Sequence, residues 1–132
     1  MTAPTVLESA VFTLLGTVPG AGTVFGLMAP QTARPPFVIY QRISGERFAS
    51  LTGPSGLAQA RIQVDTYDPT FEGAKTIAAA IRQALDGYSG TVAGVRIGGV
   101  SKLSDNPDQV EAETDPKSFR CSQDFLFTYE EV

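Results

Sequence analysis

The chain has 132 residues and a mass of 14.0 kDa, with 10 Lys+Arg against 14 Asp+Glu and a formal charge of −4. It holds no His, no Trp and one Cys, which excludes His-dependent nucleophile systems, His-ligated metal centres, an intramolecular disulfide and paired-cysteine motifs. At 42% hydrophobic and 18% charged residues it can build one core, and no run nears the roughly 20 apolar residues of a membrane span.

The first segment reads as a helix. Thr5-Val-Leu-Glu8 fits a capping box, and Leu7, Ala10, Val11, Leu14 and Leu15 recur at helical steps on one face. Gly16 and Pro19-Gly20 end it. Met1 to Glu8 carries no basic residue, so it is not a signal peptide, and a cytosolic product is the expectation. Residues 16–36 form a connector with an apolar island, Val24 to Met28, which is a short strand or a packed turn. Arg34-Pro-Pro36 imposes extended backbone ahead of the next element.

Phe37 to Ile43 is a strand by its β-branched and aromatic content. Ser44-Gly45-Glu46 reads as a turn, Arg47 to Leu51 as a short returning strand, and Thr52 to Gly56 as a loop. Ala58 to Tyr67 alternates. Ala60, Ile62, Val64 and Thr66 face one way, and Arg61, Gln63, Asp65 and Tyr67 form a wet face. Asp68-Pro69 is expected to start a second helix, with Asp68 as N-cap. Its stripe is Phe71, Ala74, Ile77, Ala78, Ile81 and Leu85, and Gly87 follows its end.

Gly90 to Leu103 reads as one or two strands with a bulge near Gly98-Gly99. Ser104 to Ser118 is polar and acidic and reads as a long hairpin loop. Phe119 to Tyr129 is the last strand. Phe119, Cys121, Gln123, Phe125, Phe127 and Tyr129 share one of its faces. The order predicts an α+β fold: an antiparallel or mixed β-sheet packed against two main helices, in a single domain over residues 1–132.

Charge is unevenly placed. Residues 1–100 hold six acids and seven bases, a net +1, whereas residues 101–132 hold eight acids and three bases, a net −5. Gly20-Ala-Gly22-Thr-Val-Phe-Gly26 departs from the dinucleotide fingerprint in spacing and follows no strand. Gly53-Pro-Ser55-Gly56 lacks the spacing of a nucleophile elbow. Asp105, Asp108, Glu111 and Glu113 supply hard oxygen ligands without the spacing of a calcium loop, and no nucleophile or phosphate grip accompanies them. Cys121 sits among aromatic residues and reads as a buried small hydrophobe. No catalytic, metal or cofactor site is expected. The candidate interaction surface comprises Arg42 and Arg47 at a hairpin end, Arg61 and Tyr67 on the wet strand face, and the acids Asp105, Asp108, Glu111, Glu113 and Asp115.

Certain stretches, in this order, resemble the tail completion proteins of long-tailed bacteriophages, also called tail terminator or tail-to-head joining proteins. They are the N-terminal helix, Gly22-Thr-Val-Phe25, Arg34-Pro-Pro-Phe-Val-Ile-Tyr-Gln-Arg-Ile-Ser-Gly45, Gly53-Pro-Ser-Gly56 and Ala60-Arg-Ile-Gln-Val-Asp-Thr-Tyr67. An Ala-rich helix, an acidic stretch and Phe119-Arg-Cys-Ser-Gln-Asp-Phe125 complete the series. The resemblance implies a ring-forming subunit, usually hexameric, in the tail or neck of a virion. Such a ring stops tail tube polymerisation and meets the head connector's stopper or adaptor protein. It implies partners in further copies of the chain and in the tail tube protein, genomic DNA only as passing cargo, and no cofactor, catalysis or membrane contact. Other neck proteins, a tube subunit, or a small metal-binding or enzymatic module are the alternatives. The acidic stretch is expected to be a mobile arm whose deletion over Asn106–Thr114 spares folding.

Overall fold

The computed structural model describes residues 7–30, 32–50, 53–111 and 118–130, with side chains described outside 46–50, 53–56 and 109–111. Its elements run α1 (Leu7–Gly16), β1 (Thr23–Gly26), β2 (Phe37–Ser50), β3 (Gly53–Asp68), α2 (Phe71–Leu85), β4 (Gly90–Val92), β5 (Val95–Asp105), β6 (Gln109–Glu111) and β7 (Ser118–Glu130). The sheet has the order β1-β2-β3-β7-β5-β4, with β6 also paired to β7. Among the described residues only β1 and β2 run parallel; the other pairs are antiparallel, so the sheet is mixed.

Alternation along β3 and β7 decides where the core lies. Ala60, Ile62 and Val64 are buried, as are their neighbours Phe125 and Phe127 on β7. Both helices press their apolar stripes onto that same face and share one core with it. From α1 come Leu7, Ala10, Val11, Leu14 and Leu15, and from α2 come Ile77, Ile81 and Leu85. The result is a two-layer α+β sandwich whose other sheet face carries no helix among the described residues. The Thr5 half of the expected capping box lies outside the described residues.

Three local expectations are corrected. Ser44-Gly45-Glu46 is no turn: β2 continues through it, pairing in register with Arg61, Ala60 and Gln59, and the register shift between Arg42 and Ser44 leaves Ile43 as the bulged residue. The hairpin reverses instead between Ser50 and Gly53, which pair with one another, so the expected loop at 52–56 is largely the start of β3. Helix α2 begins after Thr70, whose Oγ1 accepts the Gly73 N–H at 3.0 Å. Asp68 acts one step earlier, its Oδ2 accepting the Thr70 N–H and hydroxyl, each at 3.0 Å.

At the other end of α2, Gly87 adopts φ +81°, the left-handed conformation that closes many helices. This turn brings the helix end against the outer edge of β5. Gly87 N–H donates to the Val100 carbonyl at 2.8 Å, and Asp86 Oδ1 accepts the Lys102 N–H at 3.1 Å. The bulge expected near Gly98 is present, as a register shift between Ile97 and Gly99.

The acidic stretch is less of a loop than its composition suggested. Ser104 and Asp105 end β5, and Gln109–Glu111 pair with Ser118–Arg120 as β6. β3 occupies one edge of β7 from Phe119 to Glu130, so β5 and β6 follow each other along the opposite edge. Asn106 to Asp108 join them. Residues 112–117 lie outside the described residues, so a long acidic loop is not seen among those that are described.

Candidate functional site

Strand β7 is the middle of the candidate surface, because its two faces carry different chemistry. On the face without helices, Asp124 is 2% exposed. Arg61 from β3 reaches it diagonally, with Nε donating to Oδ2 at 3.1 Å and Nη2 closing on the same oxygen. Asn106 approaches from the other side: its Nδ2 donates to Asp124 Oδ1 at 3.1 Å and to Ser122 Oγ at 2.9 Å. Gln63 Nε2 donates to both oxygens of Asp65, which is itself buried. The face expected to be wet is therefore a half-buried layer: Asp65, Ser122 and Asp124 are buried in it, while Arg61, Gln63 and Tyr67 still meet solvent.

At one end of that layer Tyr67 stacks on Phe37, centroids 4.7 Å apart, and Phe25 meets Phe37 edge-on at 5.9 Å. Arg42 does not join Arg61 and Tyr67. It pairs with Ile62 in register, which puts it on the helix face. There Nη2 donates to Tyr129 Oη at 2.6 Å and Nε lies 3.1 Å from Glu8 Oε1. Burial, and then the Glu8 carboxylate, disfavour ionisation of the neighbouring Tyr40 phenol and raise its pKa above the ordinary value.

On the helix face Asp108 meets Lys75 of α2 at 2.5 Å, and that bond raises the Lys75 ammonium above its usual range. Asp105 is exposed and pairs with Lys102 at 2.8 Å. The three-residue connection thus straddles the edge of β7, with Asn106 fastened to one face and Asp108 to the other. Glu111 belongs to β6. The side chains of Glu111 and Arg47, and all of Glu113 and Asp115, lie outside what is described. Between α2 and the connection lies a hollow of about 320 Å³, with Cys121 and Gln123 along its lining. Burial pushes the Cys121 thiol up to about 11, so it is no thiolate at neutral pH.

Asn106, Lys75 and Asp124 escaped the sequence reading because their partners are distant in the chain. Gln123 left a signal, a lone amide in the otherwise apolar face of β7. Among the described residues no three His, Cys, Asp or Glu side chains are grouped to hold a metal ion. Among them, too, no helix is long and apolar enough to cross a membrane.

The described residues form an α+β plate with one polar face, one face covered by two helices and an acidic connection at the edge of β7. The chain belongs to the family described as Tail completion protein gp17, whose model matches residues 8–130. It is thereby a structural protein of a phage tail. The fold is similar to that of a chain in a solved structure described as the virion of a native gene transfer agent particle. That chain is 21% identical, with a TM-score of 0.64, and the match covers 95% of this chain and 88% of that one. A second solved chain, 16% identical with a TM-score of 0.48, is matched over 92% of this chain and 89% of its own. Among curated proteins none matches.

Proposed function

We propose that the chain closes the head-proximal end of a phage tail as one subunit of a ring, usually of six. In this reading the ring stops tube polymerisation, seats on the last ring of tube protein and presents its other side to the head connector's stopper or adaptor. DNA passes through the lumen. The subunit is one domain over residues 1–132 and does no bond chemistry. The family match over residues 8–130 is the observation that carries this reading. Charge supports it. The net −5 of residues 101–132 suits a conduit in which DNA must slide, because basic walls would hold phosphates. A closed ring needs two different patches per subunit. The aromatic end of the open face and the acidic edge beside β7 differ enough in chemistry to serve as two.

The acidic stretch remains the proposed joining surface, together with Arg61 and Tyr67 on the open face and Arg42 and Arg47 along β2. A deletion over Asn106–Thr114 no longer suits as its test, since it would remove β6 and the Lys75–Asp108 pair. Neutralising Asp105, Glu111, Glu113 and Asp115 to their amides leaves the main-chain pairing in place. Electron microscopy of the unaltered protein should show discrete rings. The neutralised variant should fold and fail to join heads to tails in an assembly extract. Long tubes from the unaltered protein would identify a tube subunit instead, and normal joining by the variant would remove the acidic stretch from the joining surface.

A further inference from the structure

Strands β5 and β6 share one edge of β7, but their ladders do not run on from one another. Asp105 pairs with Gln123 and Gln109 with Arg120, so Asn106, Pro107 and Asp108 stand against Cys121 and Ser122 alone. Three residues against two interrupt the pairing as a bulge does. Asn106 N–H crosses the break to the Ser122 carbonyl at 2.9 Å, and Pro107 has no N–H to offer. Beyond the break β6 is short. It pairs with β7 only over Gln109–Glu111, whereas β5 follows β7 from Glu130 to Gln123. On the other edge β3 pairs with β7 as far as Phe119. β7 therefore keeps its place without β6.

What fastens the break is two-sided. On the open face Asn106 Nδ2 donates to Ser122 Oγ and to Asp124 Oδ1. On the helix face Asp108 holds Lys75, whose ammonium also stands 5.4 Å from the centre of the Phe71 ring. Phe71 in turn meets Phe119 edge-on at 6.1 Å, and Phe119 is the residue opposite Val110 of β6. Both fastenings sit where the ladder fails.

We propose that the β5–β6 connection is a two-sided latch, whose release lets β6 leave the edge of β7 while β3, β5 and α2 stay in place. Opening of this kind belongs to units joined to the rest by few and partly exposed contacts. It bares the β7 main chain at Ser118–Arg120 and frees the Lys75 ammonium. Glu111 of the proposed joining surface rides on β6, so the latch sets part of that surface in motion. That consequence rests on the joining reading; the opening itself does not.

Native-state hydrogen exchange of the full chain in low urea tests it. Local opening exposes little surface, so the β6 amides bonded to β7 should exchange with almost no urea dependence. Their protection should be at least about tenfold below that of Phe125 and Phe127, which await global unfolding. Lys75→Gln and Asp108→Asn should each speed the β6 amides about threefold, and Asn106→Ala about fivefold. Core amides should speed by the same factor, because a latch contact is lost in either opening. A contact that outlasts the opening speeds the core alone. Arg96→Gln, at the far end of β5, serves as the control and should leave the β6 amides unchanged. β6 amides that share the urea slope of Phe125 and Phe127 in the unaltered protein would overturn the opening. Latch variants that leave the β6 amides unchanged would overturn the latch. Failure of the acid-neutralised chain to disturb joining would remove the joining role and leave both standing.

Discussion

Arg61 and Asp124 meet across the open face of the sheet although they are not opposite one another. Asp124 pairs in register with Gln63, and Arg61 with Leu126, so the contact is diagonal. The carboxylate is 3% exposed at its side chain while the guanidinium is 42% exposed, which makes the acid the costlier member to strand. Asp124→Ala should destabilise by about 2 kcal/mol, because Arg61 recovers water and only Asn106 loses a buried partner. Arg61→Ala should cost as much or more, since it leaves the buried charge with Asn106 alone. Urea unfolding of both variants and their double decides it. A double no worse than either single is the expected pattern, and simple additivity would deny the coupling.

The two helices respond oppositely to the same exchange. A Cβ at Gly16 meets nothing within 4 Å, so Gly16→Ala should stabilise by about 0.7 kcal/mol through the unfolded chain. A Cβ at Gly73 would overlap the Asp68 carboxylate and crowd Thr70 Oγ1. Gly73→Ala should therefore open the cap of α2 and lose about 1 kcal/mol despite alanine's helix propensity. Thermal unfolding of the pair reads the difference in sign.

Alkaline pH should weaken the fold. Burial, first among the causes, holds the Cys121 thiol protonated to about 11 in the folded chain, against an ordinary 9.0. Folded protein then binds more protons than unfolded protein across that interval. Stability is complete below about pH 9 and is lost as pH rises toward about 11. The loss is on the order of 2 kcal/mol. The raised Tyr40 adds to it in the same direction. Urea midpoints at about pH 8 and pH 10.5 should fall less in Cys121→Ala than in the unaltered protein.

Phe125 and Phe127 are fully buried beneath the helices, and each contacts the shared core. Phe127→Ala should cost about 4 kcal/mol, a large part of a small domain's stability. Equilibrium denaturation is the measure. A cost under about 1 kcal/mol would mean that the core is not packed as described.

The stripes of α1 and α2 and the alternation of Ala60 to Thr66 were legible in the sequence because each follows one period over many residues. Turn positions were less so. Ser44-Gly45-Glu46 has turn composition, yet cross-strand pairing carries β2 through it. Gly53 and Pro54 fit a strand there because they lie next to the reversal. Asp68 resembled an N-cap because Asx residues suit several positions around a helix start, and Thr70 took the cap itself. The burial of Asp124 was invisible, since it depends on Arg61 reaching it from β3 and Asn106 from the β5–β6 connection. The acidic stretch was located correctly by composition, but its strand pairing depends on Ser118 to Arg120, which no local pattern reveals.

Asp86 and Gly87 do more than end α2. By engaging Lys102 N–H and the Val100 carbonyl they silence the middle of a strand edge that could otherwise template another chain. That stretch of β5 is thereby kept from main-chain pairing with another molecule. Asp86→Ala should leave the helix intact and shorten the shelf life of concentrated protein, which light scattering over days would record.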